Sequence, residues 1–349
     1  MPFAENSVAA LRDRPVFICG HPKSGTSLVR AVLDSHPQLV VYPEETAFFR
    51  RFLPQAKELD LEGKLLLAEQ CLIHIFTWNQ ENPDPSQEGF PDRDYSTTSF
   101  EAVRQAMWQI ADNYYQQPGD ILSAAVLAFG EVSGQLNSTT IHWVEKSPYN
   151  EYFVDQIYTW WPAARCIHVV RDPRDNFVSY RRKHPYWTAE FFATNWNRST
   201  SNGLQNRERF GADRYLVIRY EDLVQSPETN LRLLAEFLQI EWHDSLATPS
   251  RAGEQWLGNS MFTNQFQEVS AAAVGRWKTN LASQDAFVIE LMTRPWLQSL
   301  LYEQPLTAKN LAQVNNNSFQ VLGARWRVAS WPVRRKLARL SSRTQSAGQ

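Results

Sequence analysis

Short, mostly apolar runs alternate with helix-period segments along this chain. Val16–Cys19, Leu39–Tyr42, Thr140–Val144, Arg165–Val170 and Arg214–Arg219 have the length and character of strands buried on both faces of a parallel sheet. After the first run, Leu28, Val29, Val32 and Leu33 follow helical spacing, with Arg30 and Asp34 on the other face. Asp172-Pro173 and Ser226-Pro227 place an N-cap and a first-turn proline after the fourth and fifth runs. Residues 44–135 read as a helical insertion. A helix over 44–78 starts at Pro43-Glu44-Glu45 with breaks at Pro54 and Gly63, a turn-rich polar loop covers 79–99, and helices follow at 99–117 and 120–135. The alternation predicts an α/β fold: a single domain with a parallel sheet of about five strands flanked by helices, its ligands at the strands' C-terminal ends. That domain is expected over 1–303, with a basic extension over 304–349.

The first strand runs into Gly20-His21-Pro22-Lys23-Ser24-Gly25-Thr26-Ser27 and then into the helix. Strand, glycine-bearing loop and helix aim backbone N–H groups and a positive helix end at a phosphate-like anion. The ATP-type loop places lysine directly after its second glycine, with a hydroxyl next for Mg²⁺. Here Thr26 follows Gly25, and Lys23 comes two residues before it. A P-loop kinase or nucleotide hydrolase is therefore the weaker alternative, and no metal is expected.

Composition changes the picture at one end only. Hydrophobic residues make up 43% and charged residues 21% of 349, ordinary for a globular protein, and a net charge of −2 gives no case for nucleic acid. No acidic residue follows Glu303, whereas eight cations do, from Lys309 to Arg343. Trp326, Val328, Trp331, Val333, Leu337 and Leu340 are interleaved with them, a basic amphipathic pattern suited to an anionic membrane or acidic surface. Cys19, Cys71 and Cys166 lack metal-type spacing and read as small core side chains of a reducing compartment. With no apolar run of membrane-spanning length and no leader pattern, the expected location is the cytoplasm.

The motifs point to one family. PKSGTSL, residues 22–28, closely resembles the 5′-phosphosulfate loop of sulfotransferases that use 3′-phosphoadenosine 5′-phosphosulfate (PAPS). Arg171 ends a strand, and Ser179 lies eight residues on, a guanidinium and a hydroxyl suited to a terminal phosphate. RDPRDNFVS is similar to the family's 3′-phosphate motif, in which that arginine and serine hold the nucleotide. Arg219-Tyr220-Glu221-Asp222-Leu223 resembles a segment whose tyrosine meets adenine. Gly275-Arg276-Trp277-Lys278 resembles one that closes over the nucleotide, and Trp143 to Pro148 a strand end whose lysine, here Lys146, points at the transferred sulfonyl group. The resemblance spans roughly 14–280. It implies PAPS as co-substrate, bound by Lys23, Ser24, Gly25, Thr26, Ser27, Arg171, Ser179, Tyr220, Arg276, Trp277 and Lys278.

The resemblance also implies an acceptor base. Glu44-Glu45-Thr46 and the preceding LVRAVLDSHP are similar to the protein-tyrosine branch, which uses a glutamate, whereas distant cytosolic members use a histidine. This chain differs by Tyr42-Pro43 before the glutamates, one extra residue of spacing, and Lys23 where arginine is usual. Glu45 is the expected base, with Lys23 and Lys146 on the leaving group; His21, His74, His142 and His184 are alternatives. On a helix starting near Pro43, Glu45 shares a face with Phe48, Phe49 and Phe52, and Glu44 turns to water or Arg51. The aromatics suit an apolar or sugar-stacking cleft. The expected reaction moves a sulfonyl group to a carbohydrate or glycolipid hydroxyl; a protein tyrosine or small phenol is the second choice.

Overall fold

The computed structural model describes residues 5–88, 90–258, 269–304 and 318–346. They fall into two compact units, Met1–Val170 with Asn202–Ala271, and Arg171–Ser201 with Ala272–Gln349.

The first unit is built on a five-stranded parallel sheet: β1 (Pro15–Cys19), β2 (Leu39–Val41), β3 (His142–Lys146), β4 (Arg165–Val170) and β5 (Tyr215–Arg219). Their order is β2-β3-β1-β4-β5. Val16 lies opposite Val144 on one side and Arg165 on the other, so β1 is central and every one of its residues is buried. The chain builds one side of β1, then the other, which opens a crevice beyond its C-terminal end. The sequence places all five strands to within two residues at each end.

The insertion between β2 and β3 is helical, and its last helix, Gly119–Ser133, is buried without a break from Gly119 to Gly130. Bare Cα atoms allow that depth: a Cβ on Gly130 would lie 2.6 Å from Val40 Cγ1. Phe48, Phe49 and Phe52 are at most 2% exposed. Phe48 stacks on Phe52, and Phe49 stacks on Phe153 and Trp160. They are core, not the lining of an acceptor cleft.

The start of the insertion differs from the expected helix. Residues 43–47 form an irregular strap that bends at Pro43-Glu44, and helical structure begins only at a π-helical turn, Phe48–Phe52. Ala47 sits at φ 48°, Thr46 Oγ1 donates to Glu145 Oε1 (2.7 Å), and the Ala47 N–H donates to Ser147 Oγ (2.9 Å). The strap thus spends its hydrogen bonds on the end of β3, which periodicity alone does not register. Gly63, expected as a break, lies inside the helix Leu61–Ala68 and gives its N–H to the N-cap Asp60.

The second unit holds the helix Pro173–Lys183, capped by Asp172 with proline in the first turn as expected. It also holds the helices Ser283–Ser299 and Ser318–Ser346.

Candidate functional site

The loop after β1 is shaped by close approach. Gly20 has φ 129°, and a Cβ there would lie 2.4 Å from Val169 O; Gly25 has φ 106°, and a Cβ there would lie 2.5 Å from Tyr220 Cδ2. Lys23 adopts φ 65° despite its Cβ, an uncommon conformation that turns the backbone within the loop. Gly20 N–H is held by Glu151 Oε2 at 3.0 Å, and Ser24 N–H by His21 O at 3.1 Å. Gly25 then caps the helix Thr26–Leu33, whose first amides point out of its positive end. Ser24 Oγ is buried with no hydrogen-bond partner among the described residues. An orphaned hydroxyl, outward amides and one lysine fit a sulfate- or phosphate-like anion. Tyr220, the first residue of the helix Tyr220–Gln225, packs its ring on Gly25.

The two glutamates have exchanged their expected environments. Glu45 is 46% exposed, and its Oε1 accepts from Lys146 Nζ at 2.6 Å. Lys146 is the last residue of β3 and only 6% exposed, so the pair stands at the strand end with the carboxylate outward. Glu44 is the buried one. It accepts from Tyr95 Oη at 2.9 Å and lies 2.9 Å from Arg93 Nε and 3.4 Å from Arg251 Nη1. Asp92 lies 3.2 Å from Arg251 as well.

Arg30 and Asp34, expected on the helix's polar face, belong to the same buried neighbourhood. Arg30 donates to Ser250 O, and Asp34 accepts from Ser250 Oγ and Gly253 N–H. Three arginines and three carboxylates therefore share one interior cluster, and their fields reach one another. The strap bearing Glu45 is pinned by Glu44 before it and by Thr46 and Ala47 after it.

In the second unit, Arg171 and Ser179 meet as their spacing predicts. Arg171 Nη1 donates to Ser179 Oγ at 3.2 Å and Nη2 to Ala273 O at 2.9 Å. Asn176, one turn before Ser179 on the same helix, was missed by sequence reasoning. It is fully buried, and neither amide atom has a hydrogen-bond partner among the described residues. Only its burial marks it. Asp175 Oδ2 accepts from Gly275 N–H (2.6 Å) and Oδ1 from Trp277 N–H (2.8 Å), fixing the Gly275–Lys278 segment to this helix. Burial pushes the Asp175 carboxyl up, against the pull of Arg171. Trp277 carries the Arg174 guanidinium 4.1 Å above its ring, Arg276 folds back onto Ala272 O, and Lys278 reaches Glu303 at the surface.

The alternative bases are differently placed. Both ring nitrogens of His142 lie against main-chain carbonyls, of Arg14 (3.1 Å) and Leu238 (2.9 Å), and burial lowers its pKa. His21 Nδ1 contacts Pro22 O, the exposed His74 starts a 3₁₀ turn that buries Ile75 and Phe76, and His184 packs on Tyr180 and Trp187. Cys19 and Cys166 are buried free thiols, and burial pushes both pKa values up.

A profile described as "Sulfotransferase family" matches residues 15–244, two-thirds of the chain and all five strands. The chain belongs to that family. A protein-tyrosine sulfotransferase of Danio rerio is 26% identical over 242 residues, covering 67% of this chain and 56% of that protein. An omega-hydroxy-beta-dihydromenaquinone-9 sulfotransferase of Mycobacterium tuberculosis is 23% identical over 260 residues, covering 66% of this chain and 64% of its own. The chain spans about half the length of the zebrafish and nematode relatives it matches. In fold it is similar to the sulfotransferase domain of a Synechococcus olefin synthase, with TM-score 0.56, 23% identity, and coverage of 84% of this chain and 96% of that one.

Proposed function

We propose that this chain moves a sulfonyl group from PAPS to an acceptor hydroxyl, with Glu45 as general base. The observation that carries the reading is the Glu45–Lys146 pair at 2.6 Å, at the end of the strand beside β1 and its anion loop. The loop, with Ser24 Oγ orphaned and Lys23 in place, suits the 5′-phosphosulfate; Arg171 and Ser179, already paired, suit the 3′-phosphate. PAPS supplies the sulfonyl group and leaves as the bisphosphate.

The acceptor's proton passes to the half-exposed Glu45 carboxylate, as a base in reach of solvent-borne substrate requires. Lys146, Lys23 and the outward amides of Thr26 and Ser27 stabilise the charge that grows on the leaving oxygen. Holding both reactants in line contributes the remainder.

For the acceptor we propose a carbohydrate or glycolipid hydroxyl, acting in the cytoplasm. A lipid-borne hydroxyl accords with the name of the mycobacterial relative. The zebrafish relative and the Glu44-Glu45-Thr46 motif favour a tyrosine hydroxyl as the second reading. Transfer of labelled sulfate from PAPS across glycans, glycolipids, a tyrosyl peptide and a small phenol, with and without a chelator, tests both. Label on glycan or glycolipid is expected; label on the peptide alone would establish the second reading. Turnover that needs ATP and Mg²⁺ would overturn both.

A further inference from the structure

The helix Ser318–Ser346 has two unlike sides. Its inner side is fixed by charge: Arg327 donates to Glu190 (2.8 and 3.0 Å) and to Asp285 (2.9 Å), and Arg334 donates to Glu190 (2.9 Å). Trp331 Nε1 donates to Thr194 Oγ1 at 3.0 Å, and Ala324 is fully buried. The outer side carries Leu322, Trp326 and Val333, which are 61%, 66% and 62% exposed. Arg325 and Lys336 stand exposed among them. These five positions fall at i, i+3, i+4, i+11 and i+14, along one face of the helix.

Solvation accounts for the two cations but not for three large apolar side chains left more than half bare beside them. The inner cations are matched by the carboxylates of Glu190 and Asp285, whereas among the described residues no carboxylate pairs with Arg325 or Lys336. Exposed Leu, Val and Trp with unopposed Lys and Arg is the composition of a helix that lies in a bilayer interface. None of the helices, among the described residues, is long and apolar enough to cross a membrane. We infer that this face docks on an anionic lipid surface, with Trp326 at headgroup depth and Arg325 and Lys336 toward lipid phosphates. The inference rests on this surface alone and stands whatever the acceptor proves to be.

Co-sedimentation of the full chain with vesicles of phosphatidylcholine, alone or with phosphatidylserine, tests it. Wild type is expected to sediment with the phosphatidylserine vesicles only, and less as salt is added. In a Leu322→Glu/Trp326→Glu double variant, binding should fall at least about tenfold, since each new carboxylate repels the surface. Both positions are exposed, so the melting temperature should not move; that control keeps loss of binding distinct from loss of fold. No binding by wild type, equal binding to neutral vesicles, or undiminished binding by the double variant would each overturn the inference. So would a self-association of wild type in solution that the double variant abolishes, because the face would then belong to a second copy.

Discussion

Glu44 and Glu45 are neighbours in sequence, and the structure predicts opposite consequences for the same substitution. Glu44→Gln keeps the volume and the Tyr95 contact but removes the charge that faces Arg93 and Arg251. The cluster of three arginines and three carboxylates is left one positive charge in excess, inside the protein. Removing one partner of a buried ion pair costs about 3–5 kcal/mol. For a unit of this size each kcal/mol is worth about 2–4 °C, so the melting temperature should fall by about 6 °C or more.

Glu45→Gln also removes a partner, of the nearly buried Lys146, but the carboxylate itself is half-exposed and the field of Glu145 still reaches Lys146, so its cost should be smaller than that of Glu44→Gln. Its effect belongs to rate: loss of a general base lowers kcat by about 10²–10⁴. PAPS affinity should change little. Thermal melts, nucleotide calorimetry and kcat for the two variants and wild type decide the matter. A thermally silent Glu44→Gln, or a Glu45→Gln that destabilises as much as Glu44→Gln while retaining kcat, would refute the assignment of anchor and base.

Arg171→Ala and Ser179→Ala should each weaken binding of a nucleotide bearing a 3′-phosphate by about 1.5–3 kcal/mol and leave a nucleotide without it nearly unaffected; calorimetry with both ligands checks this, and equal losses would contradict it. Asn176→Leu should hold or raise the melting temperature of the free protein, because an orphaned buried amide costs about 1–3 kcal/mol, while weakening nucleotide binding; a less stable variant with unchanged affinity would count against a ligand role. Burial works to raise the Glu190 carboxyl, but hydrogen bonds from Arg327 and Arg334 outweigh it and hold the pKa at about 2. A folded pKa below the ordinary 4.5 adds stability above that pH, which is lost as pH falls toward 2. The stability gap between wild type and Glu190→Gln should therefore narrow under acid, and a gap independent of pH would contradict the linkage.

The strands and the loop were legible because their signals are local. An apolar run, a pair of glycines and an Asp-Pro cap each need only their own neighbours, and β1, the Gly20–Ser27 loop and the Pro173 helix start stand where the sequence puts them. The Arg171–Ser179 contact was legible for the same reason: eight residues of strand end and helix fix it.

What failed depended on distant partners. The strap at 43–47 is not helical because Glu145 and Ser147, about a hundred residues on, take its hydrogen bonds. Arg30, Asp34 and Glu44 look like surface charges by period, and are buried because Arg93 and Arg251 arrive from elsewhere in the chain. Asn176 carries no signal until its burial is known.

Sulfonyl transfer from PAPS, with Glu45 as the proposed base, is open to direct test. The most direct measurement follows, in chelator and with one hydroxyl acceptor, the bisphosphate released and the sulfate ester formed, for wild type and Glu45→Gln. Wild type should give equal amounts of both products, and Glu45→Gln a rate lower by about 10²–10⁴ with bisphosphate affinity retained. Ester formation that Glu45→Gln leaves at the wild-type rate, or bisphosphate release with no ester on any acceptor, would contradict it.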